Sequence, residues 1–139
     1  LCTVREVGHY SCRSMTGNCA ALQSLADEPG RVQMNPADAQ RLGIADKQLV
    51  WVSSRRGKVI SRADLSDRIN PGAVYMTYQW WVGACNELTQ DNLDPISKTP
   101  ETKYCAVKVE AIADQQWAER YAWTAYNDMK ARLKAAADV

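Results

Sequence analysis

The 139-residue sequence lacks the features that mark several common classes of protein. No apolar run approaches the roughly 18 to 20 residues that span a bilayer, and the first residues lack the charged and then apolar layout of a signal peptide. The formal net charge is only +1, so the basic excess of a general nucleic-acid binder or a polybasic membrane anchor is missing. We therefore expect a soluble, cytoplasmic protein that neither binds nucleic acid nor inserts into a membrane.

Internal repeats and low-complexity tracts are also absent. The length is that of one domain, which is enough to bury about two thirds of the surface of the unfolded chain. The sequence begins at Leu1 without an initiator methionine, and from this we expect a piece of a longer protein.

Cysteine pairs at metal-binding spacing are missing as well. The five cysteines are an odd number and include no C-x-x-C pair, which favours buried or half-buried free thiols in a reducing compartment. The alternative is a metal site that recruits the single histidine, which would make the chain a small metal-binding regulator. The spacing of that set fits no common zinc module. Its members would be Cys2, His9, Cys12 and Cys19.

The middle of the chain carries local signals for short strands and one small helix. Asn35 is a good N-cap, Pro36 suits the first helical position, and Gly43 can end the helix in the left-handed conformation. Residues 48–63 follow as a strand, a turn and a returning strand, which is the pattern of a hairpin. This succession of short strands favours a compact β-barrel over a parallel α/β sheet.

From Asp114 onward the pattern changes to that of an amphipathic helix, with apolar residues at steps of three and four. We expect this stripe to pack across the barrel, so that residues 1–112 form the barrel and residues 113–139 form a helix on the same domain. The alternative is a surface for another domain or subunit. The stripe consists of Trp117, Tyr121, Thr124 or Ala125, Asp128 or Met129, and Leu133; the alternative surface consists of Trp117, Trp123 and Tyr126.

Two polar stretches are candidates for a ligand site. The first contains guanidinium and hydroxyl groups that could surround the oxygens of a phosphate, although a solvated loop is the alternative reading. The second, residues 86–103, follows a predicted strand at 74–78 and ends in a strand-like run at 104–109. A long loop anchored at both ends is usually functional. The first stretch holds Arg5, His9, Ser11, Arg13, Ser14 and Thr16.

Three runs, in this order and at compatible spacing, resemble the C-terminal molybdopterin-dinucleotide-binding domain of molybdenum and tungsten oxidoreductases. The likeness covers nearly the whole chain and is greatest to selenocysteine-type formate dehydrogenases of the kind linked to formate hydrogenlyase. The runs are Thr3-x-Arg5-x-x-x-His9-Tyr10-Ser11-x-x-Ser14-Met15-Thr16, Asn35-Pro36-x-Asp38-Ala39-x-x-Leu42-Gly43-Ile44, and Asn86-x-Leu88-Thr89-x-x-x-x-Asp94-Pro95-x-x-Lys98-x-Pro100-Glu101-x-Lys103.

The resemblance implies a six-stranded double-psi β-barrel like that of aspartate decarboxylase, with short helices and the C-terminal amphipathic helix. It implies that the barrel closes over one face of a bis-molybdopterin guanine dinucleotide carrying molybdenum or tungsten, in a parent enzyme that oxidises formate to carbon dioxide. Implied partners are the remaining domains of that enzyme and hydrogenase or electron-transfer subunits. The residues implied to contact the cofactor are Arg5, His9, Ser11, Tyr78, Asn86 and Lys103.

The motifs that carry the family's chemistry are not recognisable in this chain. They are a selenocysteine or cysteine metal ligand with a neighbouring histidine and arginine, and the cysteine motif of an iron–sulfur cluster. We therefore expect no catalytic residue, no metal ligand and no turnover here, and a role in binding and orienting the cofactor. Trp80 and Trp81 receive no cofactor contact from the resemblance and are expected in core or interdomain packing. A stand-alone protein-interaction β-barrel is the alternative from another functional class.

Overall fold

A computed structural model describes residues 1–26 and 28–137 as a mixed six-stranded sheet with a long C-terminal helix. The last two residues of the predicted helix lie outside the described residues. The strands are β1 (Cys2–Val4), β2 (Arg31–Met34), β3 (Leu49–Ser53), β4 (Lys58–Leu65), β5 (Val74–Thr77) and β6 (Lys108–Ala111). The helices are α1 (Ala20–Gln23), α2 (Pro36–Leu42) and α3 (Gln115–Ala137), with 3-10 turns at Thr16–Asn18 and Cys85–Glu87.

The strands follow the order β1-β5-β2-β4-β3-β6 across the sheet. The pairs β1–β5 and β2–β4 are parallel, and the other pairs are antiparallel. The predicted hairpin is confirmed as β3 and β4. The predicted strand at 104–109 is wrong in its start, because β6 begins at Lys108 and the residues before it pair elsewhere. Leu1 and Cys105 exchange backbone hydrogen bonds of 2.8 and 3.0 Å, so residues 103–105 run beside β1.

The core lies between the strands and α2, and it is made of aliphatic residues and methionines that exclude water almost completely. The six strands and the C-terminal helix confirm this part of the expected fold. No described helix combines the length and the apolar character that crossing a bilayer requires. The central core residues are Val32, Met34, Ala39, Val50, Val52, Ala63, Met76, Cys85 and Leu88.

Helix α3 packs through a different face from the one expected. Ala118, Ala122 and Tyr126 are buried against a second cluster on the outside of the sheet. The predicted stripe is wrong by one position, because Trp117 and Tyr121 remain 40% and 47% exposed. Small alanines let the helix axis approach the sheet closely, whereas the larger rings pack at its flank, where Trp117 and Tyr121 stack at 5.2 Å.

Helix α2 confirms its predicted caps. The Asn35 side chain accepts a hydrogen bond of 2.8 Å from the Ala37 N–H, and Gly43 ends the helix at φ 66°. Within the first turn, the Asp38 carboxylate accepts a 2.6 Å hydrogen bond from the Gly72 N–H and pairs with Arg41. This carboxylate therefore ties α2 to the turn that leads into β5.

Acid is expected to weaken the link that Asp38 makes. The Gly72 N–H holds the pKa of Asp38 below its ordinary range against the opposing effect of burial, and Arg41 lowers this pKa further. Because the pKa of Asp38 is lower in the folded state than in the unfolded state, its ionised carboxylate stabilises the fold at any pH above its unfolded pKa. This stabilisation is lost as the pH falls through the folded pKa. In urea titrations near pH 7, Asp38→Asn should have a smaller free energy of unfolding than wild type. The difference in unfolding free energy should shrink as the pH falls below about 4. Asp67→Asn, at an exposed turn, is the control; a difference that widens in acid would contradict the assignment.

Candidate functional site

Two of the predicted site residues follow the ends of two adjacent strands, and a third lies on the segment beside β1. Strands β1 and β5 are parallel and place Val4 opposite Thr77, so Arg5 and Tyr78 are the next residues on each strand and leave the sheet side by side. Lys103 lies beside β1, because its carbonyl accepts a 2.9 Å hydrogen bond from the Thr3 N–H. The parallel pairing thus brings together residues that are separated by more than 70 positions in the sequence.

This end of the sheet carries two cations that have no partner among the described residues. The side chains of Arg5 and Lys103 are exposed and make no ion pair or hydrogen bond within the described chain. Arg5 also lines a cleft of about 210 Å³ whose other cation, Arg31, is already paired with Glu6. A guanidinium or ammonium group that has no partner can bind an anion without breaking an existing ion pair.

The segment that follows β1, residues 5–30, leaves the sheet and returns to it at β2; we call it the N-terminal excursion. His9 lies in it and is buried, with 8% of its surface exposed. Its Nε2 lies 2.8 Å from the Ala26 carbonyl oxygen, and its Nδ1 lies 3.0 Å from the Thr16 hydroxyl. Since a carbonyl only accepts, Nε2 donates, and the contacts fit a neutral ring whose Nδ1 accepts from Thr16. Both ring nitrogens therefore have partners inside the protein.

The remaining two predicted residues are exposed. Ser11 has a positive φ of 46°, which only a small fraction of non-glycine residues adopt. Asn86 lies in the 3-10 turn Cys85–Glu87, next to a cysteine whose sulfur lies 4.0 Å from the Met76 carbonyl oxygen. Asn86 is thus held beside the end of β5, and its side chain is open to solvent.

A buried ion pair fixes the N-terminal excursion against the segment that follows Tyr78. Arg13 and Glu28 are 7% and 6% exposed, and their side chains form an ion pair. Arg13 Nε also donates to the Gln79 carbonyl at 2.9 Å. The Glu28 carboxylate accepts 3.0 Å hydrogen bonds from the N–H groups of Trp81 and Val82. We call this arrangement the clamp, and it connects the two polar stretches that the sequence singles out.

The indole of Trp80 lies at the centre of the clamp. Trp80 is 2% exposed, as expected for core packing, and the Arg13 guanidinium lies 4.7 Å from its ring centre. The ring of His9 meets it edge to face at 5.7 Å. The Nε1–H of Trp80 donates to the hydroxyl of Thr77, the last residue of β5. The Trp80 indole therefore connects His9 to the end of β5, which Tyr78 follows.

Gln79, the residue before Trp80, has a buried side-chain amide without a hydrogen-bond partner among the described residues. Its side chain is 1% exposed, and neither the amide nitrogen nor the amide oxygen has a hydrogen-bond partner among the described residues. An unsatisfied buried amide costs free energy, so such groups are rare and call for a ligand, a water molecule or a function.

The long polar loop is ordered around one carboxylate. The Asp94 side chain accepts hydrogen bonds from the Ile96 and Ser97 N–H groups at 3.0 and 2.7 Å. The backbone and hydroxyl donors of Ser97, followed by the Ile96 N–H, hold the pKa of Asp94 below its ordinary range. A bridge between Leu93 and Pro100 closes the loop. The loop is anchored at both ends, as expected. It is not structureless, however, because the turn around Asp94 and the bridge between Leu93 and Pro100 order it.

The alternative metal site does not form in the described chain. No group of three or more histidine, cysteine, aspartate or glutamate side chains in residues 1–26 and 28–137 is arranged to hold a metal ion. All five cysteines are free, as expected, and Cys85 and Cys105 are buried. The expected burial is wrong for Cys12 and Cys19, which are exposed on the N-terminal excursion. Burial and the neighbouring Cys105 raise the pKa of the Cys85 thiol to about 12. A thiol with that pKa stays protonated near neutral pH and is a poor ligand.

Sequence reasoning did not single out the clamp or the buried amide of Gln79. Arg13 stands among the polar residues of the first motif, but nothing local marks Glu28 as its partner. The only signal was the concentration of donors in the excursion. Of the six expected contact residues, the structure places Arg5 and Tyr78 side by side at strand ends and Lys103 on the segment beside β1. It keeps Asn86 beside β5 and gives His9 internal partners.

Comparison with known proteins gives matches along most of the chain. Residues 1–106 match the family model of the molydopterin dinucleotide binding domain. Formate dehydrogenase H of Escherichia coli is 69% identical over 137 residues, which is 99% of this chain and 19% of that protein. The F420-dependent formate dehydrogenase 2 subunit alpha of Methanococcus maripaludis is 42% identical over 112 residues, which is 81% of this chain and 16% of that subunit.

A solved structure of acetylene hydratase from Pelobacter acetylenicus shares the fold, with a TM-score of 0.66 at 17% sequence identity. The match covers 81% of this chain and 18% of that one. The chain therefore spans less than a fifth of the length of the relatives it matches and corresponds to part of a larger enzyme.

Proposed function

Because this chain belongs to the family of molybdopterin dinucleotide-binding domains, we propose that it binds one face of a bis-molybdopterin guanine dinucleotide within a formate dehydrogenase. The observation that carries the proposal is that Arg5 and Tyr78 leave adjacent parallel strands side by side while Lys103 lies on the segment bonded to β1, with both cations unpaired among the described residues. When bound, such a cofactor supplies the metal, molybdenum or tungsten, and its two-electron chemistry. The parent enzyme would use it to oxidise formate to carbon dioxide.

The residues present fit such a group. A dinucleotide carries a pyrophosphate, which matches the free guanidinium of Arg5 and the free ammonium of Lys103. Its pterin and guanine rings present donors and acceptors, which match the Tyr78 hydroxyl, the exposed Asn86 amide and the unsatisfied amide of Gln79. The charged groups and the Asn86 amide are exposed, whereas the Gln79 amide is buried, and this combination supports the proposal.

Ser11 and His9 have different parts in the proposal. Ser11 offers an exposed hydroxyl on the N-terminal excursion, so it would contact the cofactor directly. His9 has both ring nitrogens engaged with Thr16 and Ala26, so it would act by holding the excursion against Trp80. The chain's own contribution is then to bind and orient the cofactor, and the residues that react with formate would lie in the rest of the parent enzyme.

We further propose that the sheet closes as a double-psi β-barrel. Residues 103–105 bond to β1, and residues 108–111 pair with β3, so a single extended segment contacts strands near both edges of the sheet. The buried cluster that Ala118 and Ala122 share with the sheet supports residues 113–139 as part of the same domain as residues 1–112. The free cysteines support a reducing compartment, the cytoplasm. Hydrogenase or electron-transfer subunits are the proposed partners beyond the parent's other domains.

The proposal is tested in the full-length parent enzyme with Arg5→Ala and Lys103→Ala. Each variant removes a charged hydrogen bond worth about 1.5–3 kcal/mol, so the cofactor should dissociate roughly 10- to 100-fold faster. The measurement is the molybdopterin content of the purified enzyme and its rate of loss on mild heating. Arg68→Ala, an exposed arginine in the turn before β5, is the control and should retain the cofactor like wild type. Wild-type retention in both test variants would refute the proposal.

A further inference from the structure

A second cleft, of about 530 Å³, lies between the N-terminal excursion and α3, and we call it the basic cleft. None of the six residues assigned to the cofactor lines it. Its volume falls within the roughly 300–1,000 Å³ of known ligand pockets. The excursion contributes Cys12, Arg13, Ser14, Gly17, Asn18 and Gln23; the other lining residues are Trp81, Tyr126, Lys130, Ala131, Leu133 and Lys134.

The basic cleft is positively charged in a chain whose formal net charge is only +1. Lys130 and Lys134 are four residues apart on α3, so they lie on the same face of the helix. The charge of Arg13 is already offset by Glu28. No aspartate or glutamate is among the lining residues in the described part of the chain. The Lys130 ammonium lies 4.9 Å from the centre of the Tyr126 ring, and this contact keeps it at the cleft.

The floor and rim of the basic cleft are apolar and only partly covered. Trp81 is 39% exposed, and its ring lies 6.4 Å from that of Tyr126. Leu133 is 51% exposed on the helix side. An exposed tryptophan next to cations is typical of the centre of protein interfaces.

The wall formed by the excursion is fixed before anything binds. The Arg13 side chain passes from this wall into the interior, where it pairs with Glu28 and donates to the Gln79 carbonyl. Trp81 is held from the other side, because its N–H donates to Glu28 at 3.0 Å. A preformed surface binds more tightly than a flexible one, since less freedom is lost on association.

We propose that the basic cleft docks an acidic segment, bearing an apolar side chain, from the part of the parent enzyme outside residues 1–139. Two observations select this occupant. The relatives are about five times longer than the chain, so most of the parent polypeptide is available to contact it. The ammonium groups of Lys130 and Lys134 beside the exposed Trp81 ring are complementary to carboxylates that flank an apolar residue. The inference requires only that the chain is part of a larger enzyme and is independent of the cofactor proposal.

The test uses the intact parent enzyme treated with a zero-length carbodiimide cross-linker, which joins a lysine to a carboxylate in direct contact. Peptide mass spectrometry should show Lys130 or Lys134 joined to an aspartate or glutamate of the same polypeptide outside residues 1–139. Links only within residues 1–139, or only to a separate polypeptide, would overturn the proposal. The readout does not involve the cofactor, so a negative result would leave the cofactor proposal standing.

Charge reversal provides the second measurement. In the parent enzyme, Lys130→Glu/Lys134→Glu should abolish the cross-link and make proteolytic cleavage within α3 about tenfold faster, because the docked segment is released. Arg120→Glu/Arg132→Glu makes the same change in charge at exposed positions of α3 outside the cleft, and cleavage should change by less than about twofold. Equal acceleration in the two variants would mean that α3 is only destabilised by lost charge, and the docking proposal would be wrong.

Discussion

Replacement of Glu28 by alanine is expected to reduce the free energy of unfolding by about 3–5 kcal/mol, because it leaves the Arg13 guanidinium buried without its counter-charge. Both side chains are less than 10% exposed, at 7% for Arg13 and 6% for Glu28. The loss also removes the acceptor of the Trp81 and Val82 N–H groups, each of which costs free energy when it is buried without a partner. The same change should therefore loosen the N-terminal excursion from the end of β5.

Denaturant unfolding of the chain measures this effect, and a second ion pair provides the control. Arg62 and Glu119 form a bidentate pair between β4 and α3, with side chains that are 25% and 40% exposed. Glu119→Ala should cost only about 0–1 kcal/mol, because solvent screens the pair. Glu28→Gln should be intermediate, since an amide keeps one acceptor. A cost for Glu28→Ala that is within about 1 kcal/mol of the control would show that the clamp contributes little.

The clamp relates the stability of the fold to the geometry of the proposed site. It does not touch the unpaired cations, yet it sets the position of the loop that carries His9 and Ser11 relative to Tyr78. Because Trp80 contacts both Arg13 and His9, a shift of either partner is transmitted through a rigid, fully packed ring. The cofactor contacts proposed for the excursion would thus depend on an ion pair that lies outside the proposed site.

Features encoded by neighbouring residues were predictable from the sequence. The caps of α2 depend on Asn35, Pro36 and Gly43, whose conformational preferences act within one turn. The β3–β4 hairpin likewise follows from two short apolar runs around a polar turn. These signals need no knowledge of the rest of the fold, so the structure reproduces them.

Features that depend on distant partners were not predictable in the same way. The contact face of α3 was misplaced because spacing weighs large rings most heavily, whereas the sheet accepts the small side chains of Ala118 and Ala122. The start of β6 was misplaced because residues 103–105 pair with β1, about 100 positions away. Arg13 and Gln79 are 66 residues apart, so no local pattern could join them.

In the proposed site as well, the residue types could be predicted from the sequence, whereas their contacts with distant residues could not. The resemblance named Arg5, Tyr78 and Lys103, but the parallel register of β1 and β5 is what brings Arg5 and Tyr78 side by side, and a backbone bond to Thr3 is what holds Lys103 beside β1. The internal engagement of His9 could not be read from the motif, because its partners, Thr16 and Ala26, carry no sequence signature. The resemblance names candidate residues, whereas backbone pairing decides which of them lie close together.

Replacement of Gly83 by alanine is the other change expected to have a large effect. Gly83 has φ +83°, and a Cβ there would lie 2.7 Å from the Ile60 carbonyl oxygen and 3.2 Å from the Gly30 nitrogen. The left-handed conformation costs an alanine about 1–2 kcal/mol, and the clash with rigid backbone adds roughly 1–3 kcal/mol. A total loss of about 2–5 kcal/mol should be seen in urea unfolding of the chain.

Gly72→Ala separates the two contributions, because Gly72 has φ +80° but open space around its Cβ position. It should lose only the conformational part, about 1–2 kcal/mol; an equal loss at Gly72 and Gly83 would contradict the clash. Gly83 directly follows Val82, whose N–H donates to Glu28, so a backbone shift at Gly83 also disturbs the clamp. The Glu28→Ala/Gly83→Ala double variant should therefore lose less than the sum of the single losses, by about 0.5–3 kcal/mol. Strict additivity would mean that the two sites are independent, and the turn at Gly83 would then not support the clamp.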